Sequence, residues 1–458
     1  MTASGVMMSR TSSMMHILPL VLQQQQKTRS YSGMCVTRLI MTGRTGLAVA
    51  TASTPFQKQT CHLTVKCELG DSGVSSLGGA GHLQPTELLM PLSQLVEAKV
   101  LYCAVPAMGH NQEGHPECNA RVPSILEALQ KGNLTPETRG KDIVRIKDFR
   151  AASKDDIAAV HTMAYVKGLE KVMTRAEDEG IIFLDGTGPT YATPTTYHDS
   201  VLAAGAGFAL VDSVVAASRE TQSPPVGFAL LRPPGHHAVP TGPMGFCVFG
   251  NVAVAARYAQ RVHKLQRVLI IDYDVHHGNG THDAFYNDPN IFFLSTHQAG
   301  SYPGTGKMEE VGEGAGEGTS LNLPLPGGSG NETMSYVFEE VIVPAAQRFK
   351  PDIILVSAGY DAHFEDPLAG LQFTTGTYYQ LAKGIKELAS ELCRGRCVFF
   401  LEGGYDLRSL SNSVAESFRA FLGDASLSSK LDNPAVLYDE PSIIARQAID
   451  KVKSLHSL

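Results

Sequence analysis

"VLIIDYDVHHGNGTHDAF" occupies Val268–Phe285. Its first four residues are an unbroken apolar run, bounded by polar residues, which predicts a short buried strand. Directly beyond it, nine residues hold two aspartates, two adjacent histidines and two glycines. If the strand continues through them, Asp272, Asp274 and His276 share one face, because residues two apart point the same way. His and Asp with an open position suit a catalytic zinc or a similar divalent ion. A D-x-H pair is also common on surface loops, so a third ligand is required. Asp361 is the candidate. It lies in "SAGYDAH" (Ser357–His363), just after another Ile/Leu/Val run. A buried carboxylate there is costly unless paired or metal-bound, although a helix N-cap is the other common use of such an aspartate.

The same arrangement recurs along the chain. "VGFALL" (Val226–Leu231) leads into "RPPGHH", "IFFLST" (Ile291–Thr296) into "HQAGSYPGTG", and "CVFFLEGG" (Cys397–Gly404) into "YDLRSL". Continuous apolar strands alternating with helical stretches predict an α/β fold with a single, mostly parallel sheet covered on both faces by helices. Ligands of such sheets bind beyond the carboxyl ends of the strands, so these polar groups are expected on one rim. In "RPPGHHAVPTGPMGFC" (Arg232–Cys247), prolines and glycines stiffen the loop that carries His236 and His237. Two imidazoles beside a metal-activated water can serve as general base and acid. In "LEGGYDL" (Leu401–Leu407), Gly403 and Gly404 allow a tight turn that presents Tyr405, a phenol able to donate to a developing oxyanion. "GTGKM" (Gly304–Met308) is not a phosphate loop, because Met308 stands where a Ser or Thr must bind magnesium. Residues 298–320 are expected to form a long flexible loop.

Composition sets the frame. The chain has 458 residues, 43% hydrophobic and 18% charged, with a net charge of -7. Residues 1–67 carry basic residues, Ser, Thr and Met but no Asp or Glu, so the remainder is distinctly acidic. An acidic body repels phosphate backbones, which argues against direct nucleic-acid binding, and favours cationic substrates. The eight cysteines are scattered, with one close pair, Cys393 and Cys397, and no second pair to complete a structural zinc site. No apolar run approaches the roughly 18 residues of a membrane helix. The expected organisation is a transit-peptide-like leader at 1–67, a flexible linker at 68–96 containing "GDSGVSSLGGAG", a catalytic domain at 97–440 and a tail at 441–458. Abundant Ser and Thr favour a plastid, while "RSYSG" (Arg29–Gly33) equally suits mitochondrial processing. An unused leader would leave the chain in the cytoplasm or nucleus.

Taken together and in order, "RPPGHH", "GFC", "DYDVHHGNGTHDAF", "SAGYDAH" and "EGGYDL" resemble the zinc-dependent histone deacetylase family over roughly Leu101–Gly423. "EGGYDL" and Asn279 resemble its class II branch, and the leader resembles that of plant organellar members. The resemblance implies an arginase-like fold of about eight strands and one zinc per subunit, held by Asp274, His276 and Asp361. It implies that His237 is the general base, His236 its electrostatic partner and Asp272 the carboxylate orienting His236. Tyr405 would polarise the acetyl carbonyl. Phe246, beside Gly245, and Tyr302 would wall the tunnel that clasps the lysine stem. Asn279 would partner His237 where class I members have Asp. A neutral partner raises the pKa of His237 less than a carboxylate would. A potassium site is implied at Asp272, Asp274 and His276 with Ser295 and Thr296. The implied reaction is removal of acetyl groups from protein lysines. Small N-acetylated amines are the alternative substrate, and a silent acetyl-lysine-binding scaffold is the alternative of another class. Leu368, in "EDPLAG", stands where polyamine-specific relatives are matched to an acidic gatekeeper, which favours acetyl-lysine. "HPECN" (His115–Asn119) is expected near the tunnel mouth. The sequence does not fix the oligomeric state.

Overall fold

The computed structural model describes residues 88–184 and 190–458. The leader and the linker up to residue 87 lie outside the described residues. Eight strands form one sheet: β1 (Val100–Val105), β2 (Ile143–Arg145), β5 (Val226–Leu231), β6 (Val268–Asp272), β7 (Ile291–Gln298), β8 (Ser320–Leu325), β9 (Ile353–Ala358) and β10 (Cys397–Leu401). A separate antiparallel pair, β3 (Ile182–Phe183) and β4 (Tyr191–Ala192), stands apart from it. The sheet order is β2-β1-β5-β10-β9-β6-β7-β8. Every pairing in it is parallel. All carboxyl ends therefore lie on one rim, and β5, β10, β9 and β6, which carry the chemical motifs, sit side by side.

Alternation along each strand builds two cores. Leu269, Ile271, Ile354 and Val356 face a layer that includes the helices Arg121–Lys131, Thr375–Leu392 and Leu407–Leu422. Val268, Ile270, Ile353 and Leu355 face the layer of Thr196–Glu220 and Asn251–His263. Strands apolar on both faces are what such a two-sided cover requires. Thr196–Glu220 is long and apolar enough to cross a membrane by length and composition, yet 89% of its most apolar window is buried inside this fold.

Two expectations are corrected. The linker does not extend to residue 96: Leu92–Glu97 is a helix, docked through the buried Leu95. The long connection expected at 298–320 is present as residues 299–319, between β7, which ends at Gln298, and β8, which begins at Ser320, with one short helical turn at Gly314–Gly316. Residues 441–458 are not a tail outside the catalytic domain. Ser442–His456 is a helix whose Ala445, Ala448, Ile449 and Val452 share one buried face, and it packs against β8, covering an edge strand that would otherwise be exposed.

Candidate active site

β6 ends at Asp272, and the chain bends through Tyr273–His276 instead of continuing the strand. Convergence of the side chains survives because carboxylates take up the backbone N–H groups of the bend. Asp274 N donates to Asp272 Oδ1 (3.1 Å), His276 N to Asp274 Oδ1 (2.9 Å) and Val275 N to Asp361 Oδ1 (3.0 Å). Asp361 arrives from the end of β9, next to β6 in the sheet. Asp274, His276 and Asp361 are all buried, with one potential ligand atom each, all within 4.8 Å of one another. His276 Nδ1 lies 3.2 Å from both Asp274 Oδ1 and Asp361 Oδ2.

The surroundings fit a small cation. Two anions with so little solvent are unfavourable together unless a positive charge lies between them. Glycines leave room for the carboxylates: a Cβ on Gly403 would stand 1.9 Å from Asp361 Oδ2, and one on Gly359 2.1 Å from Asp274 Oδ2. Gly403 N also donates to Asp274 Oδ2 (2.8 Å). This set of one imidazole and two carboxylates leaves coordination positions open, as a catalytic zinc site does.

The tandem histidines follow β5 on the same rim. His236 Nδ1 is 3.0 Å from Asp272 Oδ2, and His237 Nδ1 is 2.8 Å from Asn279 Oδ1. Their environments drive them apart. Burial opposes charge on His236, but the carboxylates of Asp274 and Asp272 outweigh it and hold its pKa well above the usual value. Burial, reinforced by His236 and His276, holds His237 well below it. Burial also lifts Asp272 to about 6, against the pull of His236. The two imidazoles thus differ in proton affinity, His236 favouring the charged form and His237 the neutral one, which suits His237 to act as a base. Since Asn279 Oδ1 can only accept, His237 Nδ1 carries the proton and Nε2 remains available as a base.

Tyr405 comes from the turn after β10. Burial, with Asp361 nearby, keeps its phenol pKa well above normal, so it stays a proton donor. Its ring lies edge-on to Phe246, with centroids 5.7 Å apart. Tyr302 is edge-on to His237, at 5.1 Å. Gly245 sits between these walls with φ +54°, and a Cβ there would lie 2.5 Å from His237 Cδ2 and 2.9 Å from Tyr302 Cε1. Leu368 is 39% exposed on the loop after β9 that also carries Asp361. Ser295 pairs in register with Asp272 across β6 and β7. The next residue, Thr296, has a buried hydroxyl with no hydrogen-bond partner.

Several groups were not singled out in the sequence. Glu402, fully buried, accepts hydrogen bonds from Gly235 N (2.7 Å) and His236 N (3.1 Å), fixing the histidine loop. Burial raises its carboxyl to about 7. His236, Cys247 and Glu402 form a second group with metal-like spacing. However, His236 Nδ1 is engaged by Asp272 and Glu402 Oε2 by two N–H groups, so it reads as structural. The "HPECN" segment is divided in its roles. His115 packs edge-on to Phe246 (4.6 Å) and Tyr191 (4.9 Å). Glu117 turns inward between the buried Arg232 and Arg121, with Arg232 Nη2 to Glu117 Oε2 at 2.7 Å and Arg121 Nη1 to Glu117 Oε1 at 3.2 Å. A partner 115 residues away cannot be read from local spacing.

Burial would raise the Glu117 pKa, but Arg232 and Arg121 win and hold it at about 2. Because the folded value is depressed, the associated stability is present above the ordinary value of 4.5 and is lost as pH falls toward 2. Glu117→Gln leaves two buried guanidinium groups undercompensated. The expected loss of unfolding free energy at neutral pH is about 3–5 kcal/mol, read from the denaturation midpoint in urea. An unchanged midpoint would contradict this role.

The histone deacetylase domain family matches residues 115–421. The chain is 68% identical over 372 residues to "Histone deacetylase 10, chloroplastic" of Oryza sativa subsp. japonica, covering 81% of this chain and 84% of that one. It is 65% identical over 384 residues to "Histone deacetylase 14, chloroplastic" of Arabidopsis thaliana, covering 84% and 91%. It is 34% identical to "Polyamine deacetylase HDAC10" of Homo sapiens over 74% of this chain and 49% of that one. Among solved structures, the HDA15 HD domain superposes with a TM-score of 0.67 at 30% identity, covering 79% of this chain and 94% of that one.

Proposed function

This chain belongs to the histone deacetylase family, and from that premise we propose that it is a zinc-dependent amidohydrolase that removes acetyl groups from protein lysine side chains. The observation that carries the reading is the buried Asp274–His276–Asp361 cluster facing two histidines of opposite proton affinity. Zinc bound by those three residues would supply a Lewis acid that polarises the amide carbonyl and acidifies water. His237 Nε2 takes the proton of the attacking water and later delivers it to the leaving amine. His236, kept cationic by Asp272 and Asp274, offsets the negative charge that builds up as the carbonyl carbon becomes tetrahedral. Tyr405 donates its phenol proton in a hydrogen bond to the oxyanion. Phe246 and Tyr302, with Gly245 between them, flank the lysine stem and exclude water. A potassium ion at Asp272, Asp274, His276, Ser295 and Thr296 is part of the proposal, supported by the unpartnered Thr296 hydroxyl.

Asn279 sets the pH range. Asn279→Asp would give His237 an anionic partner and favour its protonated form. The acid limb of kcat/KM, where neutral His237 is lost, should move to higher pH by about one unit or more. A pH–rate profile measures this, and an unmoved acid limb would contradict the assignment of His237 as base.

The second reading is a deacetylase of small N-acetylated amines, favoured by the similarity to the human polyamine deacetylase. The apolar Leu368 at the rim supports acetyl-lysine instead, since a carboxylate would be needed to select a second ammonium group. The third reading, a silent acetyl-lysine-binding scaffold, needs a defective catalytic set, whereas Tyr405, both histidines and the three-residue cluster are intact. A plastid is the proposed location, supported by the two relatives named chloroplastic and by the acid-free residues 1–67. The test offers an acetyl-lysine peptide, an acetylated polyamine and an acetylated arylalkylamine to the zinc-loaded chain. The highest kcat/KM on the peptide is expected. A preference for either free amine would replace the substrate class and leave the chemistry.

A further inference from the structure

The peptide unit between Gly404 and Tyr405 is gripped at both of its polar atoms. Arg121 Nε donates to Gly404 O (2.7 Å), and Tyr405 N donates to Asp366 Oδ2 (2.7 Å). A buried guanidinium thus holds the carbonyl and a buried carboxyl group holds the N–H of one rigid plane. Gly404, at φ +118°, supplies no rotational preference of its own that would fix this turn. The phenol that meets substrate hangs from the very next Cα. Asp366 does more than hold Tyr405. Its Oδ2 also receives Asp406 N (3.3 Å), and its Oδ1 receives Leu368 N (3.0 Å). One side chain thereby joins the rim loop that bears Leu368 to the turn that bears Tyr405.

We propose that Asp366 is a positioning residue for the reaction: by clamping the Gly404–Tyr405 peptide to the Leu368 loop, it sets where the Tyr405 phenol stands relative to the scissile carbonyl. This rests on the deacetylase reading. Three backbone N–H groups on one carboxylate fix both of its oxygens, so no rotation about its side chain can release Tyr405 without also releasing Leu368. An error of about 1 Å at a group that stabilises charge only in the transition state is felt in kcat more than in KM.

The test is a double-mutant cycle on the zinc-loaded full chain with Asp366→Ala, Asp366→Asn, Tyr405→Phe and the combinations. Asp366→Ala should lower kcat at least about tenfold, to the same extent for an acetyl-lysine peptide and for a small N-acetylamine, with zinc content unchanged. Asp366→Asn keeps one carbonyl acceptor and should lie between Ala and the unsubstituted chain. In the Tyr405→Phe background, removing Asp366 should alter kcat by less than about twofold, because nothing remains to be positioned. Multiplying effects would overturn the proposal, as would loss of zinc or a change confined to KM of the longer substrate. If Asp366→Ala fails to fold, the near-isosteric Asp366→Asn carries the same cycle. No turnover by the unsubstituted chain on any acetylated substrate would sink the deacetylase reading itself. Normal turnover with an inert Asp366 would sink only this inference.

Discussion

Tyr405→Phe should lower kcat by about 10²–10³-fold while leaving zinc content and thermal stability close to those of the unsubstituted chain. The substitution removes one oxygen and keeps the ring that stands edge-on to Phe246 at 5.7 Å. The backbone N–H held by Asp366 also remains. What is lost is a donor whose pKa is held high by burial and by Asp361, and which therefore keeps its proton through the cycle. The donor matters when negative charge reaches the carbonyl oxygen, so kcat should fall with little change in KM. Steady-state kinetics with metal analysis on the same preparation checks both halves. Unchanged kcat would remove Tyr405 from the chemistry. Loss of zinc would make its role structural.

Asp361→Ala should have the larger effect. It removes one of three clustered residues that could hold a metal ion and leaves His276 facing Asp274 alone at 3.2 Å. Loss of a group merely hydrogen-bonded to a ligand typically costs 10–100-fold in metal affinity, so loss of a ligand should exceed about 100-fold. Turnover should fall to background. A second readout is independent of activity. Zinc should raise the melting temperature of the unsubstituted chain, since it binds only the folded form, and should not raise that of Asp361→Ala. Equal thermal shifts would place the ion elsewhere.

Much of this was legible because the chemistry sits immediately after apolar strands. Asp274 follows "VLII", Asp361 follows "IILVSA" and Tyr405 follows "CVFFL", and a parallel sheet gathers such positions on one rim. The unread strands had reasons to hide. β2 is three residues long. β8, "SLNLPL", contains Asn322 and Pro324, residues that usually argue against a strand; Pro324 is tolerated near its end. The bend at Tyr273–His276 was invisible too, because alternation and a bend held by carboxylate–N–H bonds both bring Asp274 and His276 together. Groups that act through partners distant in the chain escaped: Glu117 with Arg232, Glu402 with Gly235, and Asp366 with Tyr405. A buried carboxylate carries no local periodic signature, and its partners appear only once the sheet order is known.

Zinc-powered amide hydrolysis at Asp274, His276 and Asp361 is open to direct test. Its most direct measurement is acetate release from an acetyl-lysine peptide by the full chain, first stripped with a chelator and then titrated with zinc. No turnover is expected after stripping, with recovery that reaches a plateau at one zinc ion per chain and Asp361→Ala silent throughout. Turnover that persists undiminished in the stripped protein would contradict it. So would stoichiometric zinc uptake without acetate release from this peptide or from any small acetylated amine.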